Sequence, residues 1–259
     1  MRMPPGSSSA GVVVLGGTAG VGLETACQFA EEGARLVLLG RNAERGEAAV
    51  AAVRSRVPGA AVDFVRVDAT DASEATAAAA SCRALLGEID VLVSTTGPSD
   101  PPRLLHTIAI ESVRPRIEEI MLPPLHLMHA VLPGMRERGQ GAIVIVASDA
   151  AKVATPGETL IGAAMAAIVM YCKAAAVEAK REGVRINVLT PSLIAGTPGA
   201  ALIDGEEFSA KMFEKAARLA SLGVPDASDL ASMAVYLASP AARRITGQAI
   251  SINGGISVA

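Results

Sequence analysis

Short apolar runs alternate with stretches of helical spacing along nearly the whole chain, and this alternation constrains the fold more than any other feature. Gly11-Val-Val-Val-Leu15 is the first such run. Uninterrupted Val, Leu and Ile, without polar alternation, mark a strand covered on both faces. Comparable runs lie at 35–39, 62–67, 91–93, 142–147, 185–189 and 249–252. Helical patterns fill the intervals at 23–32, about 43–57, 73–86, a long stretch leading to Leu132-Pro133, 160–181 and 228–238. Gly33, Pro58-Gly59 and Gly183 punctuate the ends. Buried strands joined through helices require a parallel sheet with helices on both faces. No linker, repeat or composition break divides the 259 residues, so one α/β domain is expected, with residues 1–9 as a loose leader.

Composition narrows the function classes. Apolar residues make up 51% and aromatics only 2%, so the core must be built from Ala, Val, Leu, Ile and Met. The net charge is −3 and no basic run exceeds a pair, which argues against nucleic acid as a partner. The apolar stretch Val12 to Leu15 is too short for a signal or spanning segment, so no membrane partner is expected. Cys27, Cys82 and Cys172 lack metal spacing and read as reduced thiols of a cytoplasmic protein.

The chemistry-bearing motif is Leu15-Gly-Gly-Thr-Ala-Gly-Val-Gly22, set between the first strand and the first helix. Glycines there permit positive φ and let the backbone approach a pyrophosphate, while the helix N-terminus offers free N–H groups. This makes the domain a doubly wound Rossmann-type sheet and makes Gly16, Thr18, Gly20, Val21 and Gly22 candidate cofactor residues. The second strand ends in Gly40-Arg41-Asn42, where an NAD-binding fold places a carboxylate for the ribose 2′-hydroxyl. A guanidinium suits a 2′-phosphate instead, so NADP(H) is favoured over NAD(H), with Arg41 and Asn42 at the contact. Asp68, followed by Ala69, is placed either to accept from the adenine amine or to cap a helix with Thr70 or Asp71.

Together these residues resemble the short-chain dehydrogenase/reductase family over about residues 10 to 256. Leu15 to Gly22 matches the family's Thr-Gly-x-x-x-Gly-x-Gly with Leu for Thr, and Ser94-Thr-Thr-Gly97 stands for its Asn-Asn-Ala-Gly. Leu132-Pro-Gly-Met135, Arg185-Ile-Asn-Val188, Pro191-Ser192, Ile245-Thr-Gly-Gln248 and Asn253-Gly-Gly255 follow in family order. The resemblance implies cofactor contacts at Thr96, Gly97 and Thr197, the last in the Thr-Pro that touches the nicotinamide amide. It implies a catalytic Ser at Ser148. The family's Tyr-x-x-x-Lys, counted back from Asn187, falls on Ile161-Gly-Ala-Ala-Met165, and its helix Asn falls near Ile120. Tyr171-Cys-Lys173 does not substitute, because Lys173 lies about 12 Å along the helix from Met165.

Loss of the usual acid removes about 10²–10⁴ in rate for a simple ketone but leaves hydride transfer possible. The product anion is then self-stable, as with an enolate or phenolate, or the substrate supplies an acid, or another group delivers the proton. Candidates for that group are Asp149, Lys152, Glu158 and Thr159. Ser148 orients a carbonyl or merely ends its strand. His126 and His129, spaced i, i+3, share a helix face, but no third ligand accompanies them and no metal is expected. Residues 197–223 form a lid whose Leu202, Ile203, Phe208, Met212 and Phe213 join Ile161 and Met165 in an apolar pocket, so the partner expected is a small apolar molecule, bulky, greasy and ring-containing for its class. Relatives pair through helices near 105–135 and 155–182, so a homo-oligomer, dimer or tetramer, is implied. Three functions remain: an NADP(H)-dependent oxidoreductase of a carbonyl, enone or quinone-like substrate with an atypical proton route; a catalytically inactive relative acting as cofactor sensor or partner subunit; and, behind both, an enzyme using the fold without redox, such as an isomerase or dehydratase.

Overall fold

The computed structural model describes residues 10–259, so the expected leader at 1–9 lies outside the described residues. Seven parallel strands form one sheet: β1 (Gly11–Leu15), β2 (Arg35–Gly40), β3 (Val62–Arg66), β4 (Val91–Ser94), β5 (Gly141–Val146), β6 (Val184–Thr190) and β7 (Ala249–Ser251). Their spatial order is β3-β2-β1-β4-β5-β6-β7. The chain therefore winds outward from β1 in one direction and, after β3, returns to β4 and winds in the other. The two halves part between β1 and β4, where a doubly wound sheet opens a crevice at its carboxyl edge.

Helices α1 (Gly20–Glu31), α2 (Ala43–Arg56), α3 (Ala72–Leu86), α4 (Val113–Arg138), α5 (Thr159–Ala179), α6 (Pro198–Asp204), α7 (Glu207–Leu219) and α8 (Ala227–Ala238) complete the fold. The pleat sends alternate strand residues to opposite faces. Val13, Leu15, Leu92, Ile143 and Ile145 join a core with α3, α4 and α5. Val12, Val14, Val93 and Val144 join a second core with α1 and α8. Both cores are aliphatic, as the composition requires.

One element differs from the sequence expectation. The long helix does not stop at Leu132-Pro133 but runs on to Arg138, where Gly139 (φ +70) closes it. Pro123, Pro124 and Pro133 all sit inside it. Each forfeits one backbone bond, and burial of Leu127, Met128, Val131 and Met135 holds the helix across the gaps. In addition, α5 with the turn that follows it, Thr159–Glu182, is long and apolar enough to cross a membrane by composition. It is instead a central helix of the first core, burying Ala164, Met165, Ile168, Cys172 and Ala176.

Candidate active site

A cleft of about 560 Å³ opens at the carboxyl ends of β1, β2, β4 and β5. Its nucleotide end is made mostly of backbone. Gly16 takes φ +79 and Gly20 takes φ +51, conformations open to glycine. The turn is locked on three sides: Gly16 N–H donates to Leu39 O (2.9 Å), Thr95 N–H to Leu15 O (2.9 Å), and Thr95 Oγ1 to Leu15 O (3.1 Å). Helix α1 begins there with Ala19 as its N-cap, and no side chain accepts a bond from its first turn. Nor does its first turn carry an acidic residue. The free N–H groups and the positive end of the helix thus face the cleft, a combination that suits a pyrophosphate. The residues present fit a nicotinamide dinucleotide.

Gly16, Thr18, Gly20 and Val21 line this end, together with Ala19. Gly22 does not. A Cβ on it would lie 2.2 Å from Gly16 O and 2.6 Å from Thr95 Oγ1, so its place is behind the turn, where it lets the helix press on the loop. Arg41 and Asn42 stand at the rim, and Asn42 Oδ1 caps α2 by accepting from Arg45 N–H (2.8 Å). Arg45, which sequence reasoning passed over, lines the same rim as a second cation. Its signal was present, three residues after an N-cap asparagine and one turn beyond Arg41.

Asp68 and Ala69 line the adenine side. Asp71, not Asp68, caps α3, accepting from Ser73 and Glu74 N–H (2.8 and 2.9 Å). Asp68 Oδ1 accepts from Thr70 Oγ1 (2.7 Å) and Thr70 N–H (3.1 Å), and the Thr70 hydroxyl holds its carboxyl below the usual range. His126 Nδ1 meets Ala69 O at 3.0 Å, which explains that histidine without a metal. His129 is exposed and lines a separate hollow with Tyr171.

The reacting end gathers Thr96, Gly97, Ser148, Ile161, Met165 and Thr197 around the same cleft. Thr197 caps α6 and donates its hydroxyl to Ile194 O (2.9 Å). Ser148 Oγ accepts from Ala150 N–H (3.1 Å), so it does end its strand with a turn, and its O–H stays free to donate into the cleft. Ile120 is away from the cleft: it is 3% exposed and belongs to the first core. The loop carrying Ser148 and the head of α5 are fixed to each other, since a Cβ on Gly162 would lie 2.8 Å from Ala150 O.

The four candidate proton carriers separate sharply. Asp149 is buried and turned away, held by Asn253 Nδ2 (2.8 Å), Ser251 Oγ (3.3 Å), Ser257 and Lys152 (3.5 Å). Lys152 is bound into the same network through Ser251 and Ala259 O. Thr159 is exposed and outside the cleft wall. Glu158 alone of the four lines the cleft, where burial pushes its carboxyl up to about 7.

The segment expected as a lid, 197–223, holds two helices, α6 and α7, rather than one. Leu202, Ile203 and Phe213 face the cleft; Met212 does not, and Phe208 packs on Gly157. Gly199 and Gly205 adopt no positive φ; Gly196 (φ +69) and Gly223 (φ +91), in open space at the two ends of the lid, do.

Comparison with known proteins agrees with this geometry. The family model described as enoyl-(acyl carrier protein) reductase matches residues 16–257. The 3-oxoacyl-[acyl-carrier-protein] reductase FabG of Chlamydia trachomatis is 30% identical over 245 residues, covering 95% of this chain and 96% of its own. Levodione reductase superposes with a TM-score of 0.88 at 26% identity, over 96% of this chain and 98% of its own. A variant of actinorhodin polyketide ketoreductase with NADPH gives 0.85 at 27% identity, over 95% and 97%. The chain belongs to the short-chain dehydrogenase/reductase family, whose members are NAD(P)-dependent oxidoreductases.

Proposed function

We propose that the protein is an NADP(H)-dependent reductase of a small, apolar, ring-containing carbonyl, enone or quinone-like compound. The observation that carries the reading is one continuous cleft from Arg41 and Asp68, past the uncapped start of α1, to Ser148. The bound nicotinamide would supply or take hydride. Arg41 and Arg45 favour a 2′-phosphate, because Gly40 stands where a ribose-binding carboxylate would be. Ser148 orients the carbonyl oxygen by hydrogen bond. Ile161, Met165, Leu202, Ile203 and Phe213 give the substrate end an apolar wall, which expels water around the reacting carbon. The names of the three relatives support carbonyl reduction.

A second reading has its own observation. Ile161 and Met165, which our count of positions sets against the family's Tyr and Lys, are 9% and 3% exposed and part of the core. They favour a non-catalytic cofactor sensor or partner subunit. Under either reading we place the protein in the cytoplasm as a homo-oligomer, and Met170 (65%) and Val177 (63%), exposed on α5, suit a helix-to-helix contact with a second copy.

Fluorescence titration with NADPH and NADH, then absorbance screening against cyclic ketones, enones and quinones, separates the readings. Tighter NADPH binding with oxidation of NADPH by members of the panel is expected. Absence of binding sinks both; binding without turnover across the panel selects the sensor.

A further inference from the structure

The family's proton donor is missing, and the cleft holds one carboxyl that nothing else uses. Glu158 is the N-cap residue of α5, three positions before Ile161. Residues at i and i+3 share a helix face, about 4.5 Å apart along the axis, and both line the cleft with Ser148. A side chain at 158 therefore shares one cleft with the position at which, by our count, the family's tyrosine would stand.

Its surroundings favour a neutral carboxyl. Gly157 packs against Phe208 and Pro102, which removes water from one side. Thr155, whose hydroxyl also reaches Val153 O (3.1 Å), acts in the opposite sense and favours the ionised carboxyl, but burial outweighs it. The charged groups on the neighbouring elements are Asp149 and Lys152 on the Ser148 loop, paired with each other (3.5 Å), Asp100 and Arg103 on the loop after β4, Arg116 and Glu119 on α4, and Glu206 at the head of α7. Arg103 is engaged by Glu206 (2.7 Å) and Arg116 by Asp100 (2.8 Å). Asp149, the anion acting on Glu158, disfavours its ionisation, and burial does so more strongly. The field of the α5 N-terminus opposes both and is outweighed.

We propose that Glu158 is the catalytic acid of this cleft, standing in for the absent tyrosine and delivering its proton to the substrate oxygen that Ser148 orients. This rests on the reading that the cleft holds a reduced nicotinamide dinucleotide. As hydride reaches the carbonyl carbon, the C=O π pair moves to oxygen. That oxygen forms its O–H bond as the Glu158 O–H breaks, leaving an alcohol and a carboxylate. The carboxylate is partly exposed and takes its next proton from solvent; in the oxidative direction it is the base.

The test has one arm independent of turnover. Glutamate labelled with carbon-13 at Cδ is followed by NMR in the cofactor-free protein. A resonance titrating near neutrality and lost in Glu158→Gln is expected; a Glu158 signal titrating below about pH 5 overturns the proposal. Separately, NADPH oxidation is followed with 4-tert-butylcyclohexanone and with 2-methyl-1,4-naphthoquinone. Glu158→Gln should lower kcat/KM for the ketone on the order of 10²-fold, spare the quinone, whose product anion is stable, and leave NADPH affinity within about twofold. Ketone reduction unchanged in Glu158→Gln, or none by a wild-type protein that binds NADPH, overturns the donor role. Failure of NADPH to bind, with the near-neutral titration intact, overturns the cofactor reading instead.

Discussion

The two ends of the cleft are built on opposite plans. At the nucleotide end the contacts are backbone groups held in left-handed or uncapped conformations: Gly16, Gly20 and the free start of α1. At the reacting end they are side chains, and the two that α5 contributes, Ile161 and Met165, are apolar and belong also to the first core. A pyrophosphate cradle depends on chain path, which a whole fold must preserve. Proton transfer depends on a few side chains that exchange without moving the path. Side chains at one end can thus change without disturbing the chain path at the other, and the contrast can be broken or sharpened by experiment.

The largest effect is expected from giving the head of α5 a phenol and an ammonium. Ile161→Tyr with Met165→Lys places a phenol and an ammonium on one face of α5, four residues apart, both at the cleft wall. Ketone kcat/KM should rise on the order of 10²-fold, the low end of general acid catalysis, and the rise should be larger in a Glu158→Gln background. Steady-state kinetics with a cyclic ketone measure it. A folded, NADPH-binding double variant with no gain would show that the head of α5 does not face the reacting carbon.

A smaller effect concerns the unliganded protein. Glu158 titrates near 7 in the fold against an ordinary 4.5, because burial penalises the carboxylate. The folded state keeps a proton that the unfolded chain releases, so the contribution to stability is full below about 4.5 and is lost as pH rises through about 7. Glu158→Gln has no such proton. Urea unfolding of both proteins should show wild type losing on the order of 2 kcal/mol relative to the variant from about pH 4.5 to 8, at about 1.4 kcal/mol per pK unit less a discount for partial exposure. A pH-independent difference would mean the carboxyl is solvated and the reacting end is wetter than its apolar wall implies.

Strand and helix positions were legible because each rests on periodicity within one segment; β1 at Gly11–Leu15 falls where the apolar run does. The dinucleotide turn was legible because its function resides in backbone, and glycine reports backbone directly. Side-chain direction was not. Asp149 and Glu158 are both acids near Ser148 in the chain, yet one points to Asn253 under the sheet and the other into the cleft. That outcome depends on the turn at 149–151 and the start of α5 packing together, a contact between segments. The place of Gly22 is hidden in the sequence for a related reason: spacing shows that a glycine is needed, and only the packed structure shows that Gly16 O and Thr95 are what it avoids. The prolines of α4 mislead because tertiary burial outweighs a local breaker.

The smallest predicted effect tests the nucleotide end. The Arg41 side chain is 63% exposed and lies 3.7 Å from Glu119, so its pull on a 2′-phosphate is shared and screened. Arg41→Ala should weaken NADPH binding about tenfold, or about 1.4 kcal/mol, and leave NADH within about twofold. Because Arg45 stays at the rim, preference for NADPH should shrink without reversing, and only Arg41→Ala with Arg45→Ala should abolish it. Raising salt should narrow the preference in wild type and do little in the double variant. Equal loss for both cofactors in Arg41→Ala would place the arginine on the shared pyrophosphate or in the structure of the rim. The selectivity would then rest on Gly40 alone, through the carboxylate that this position lacks.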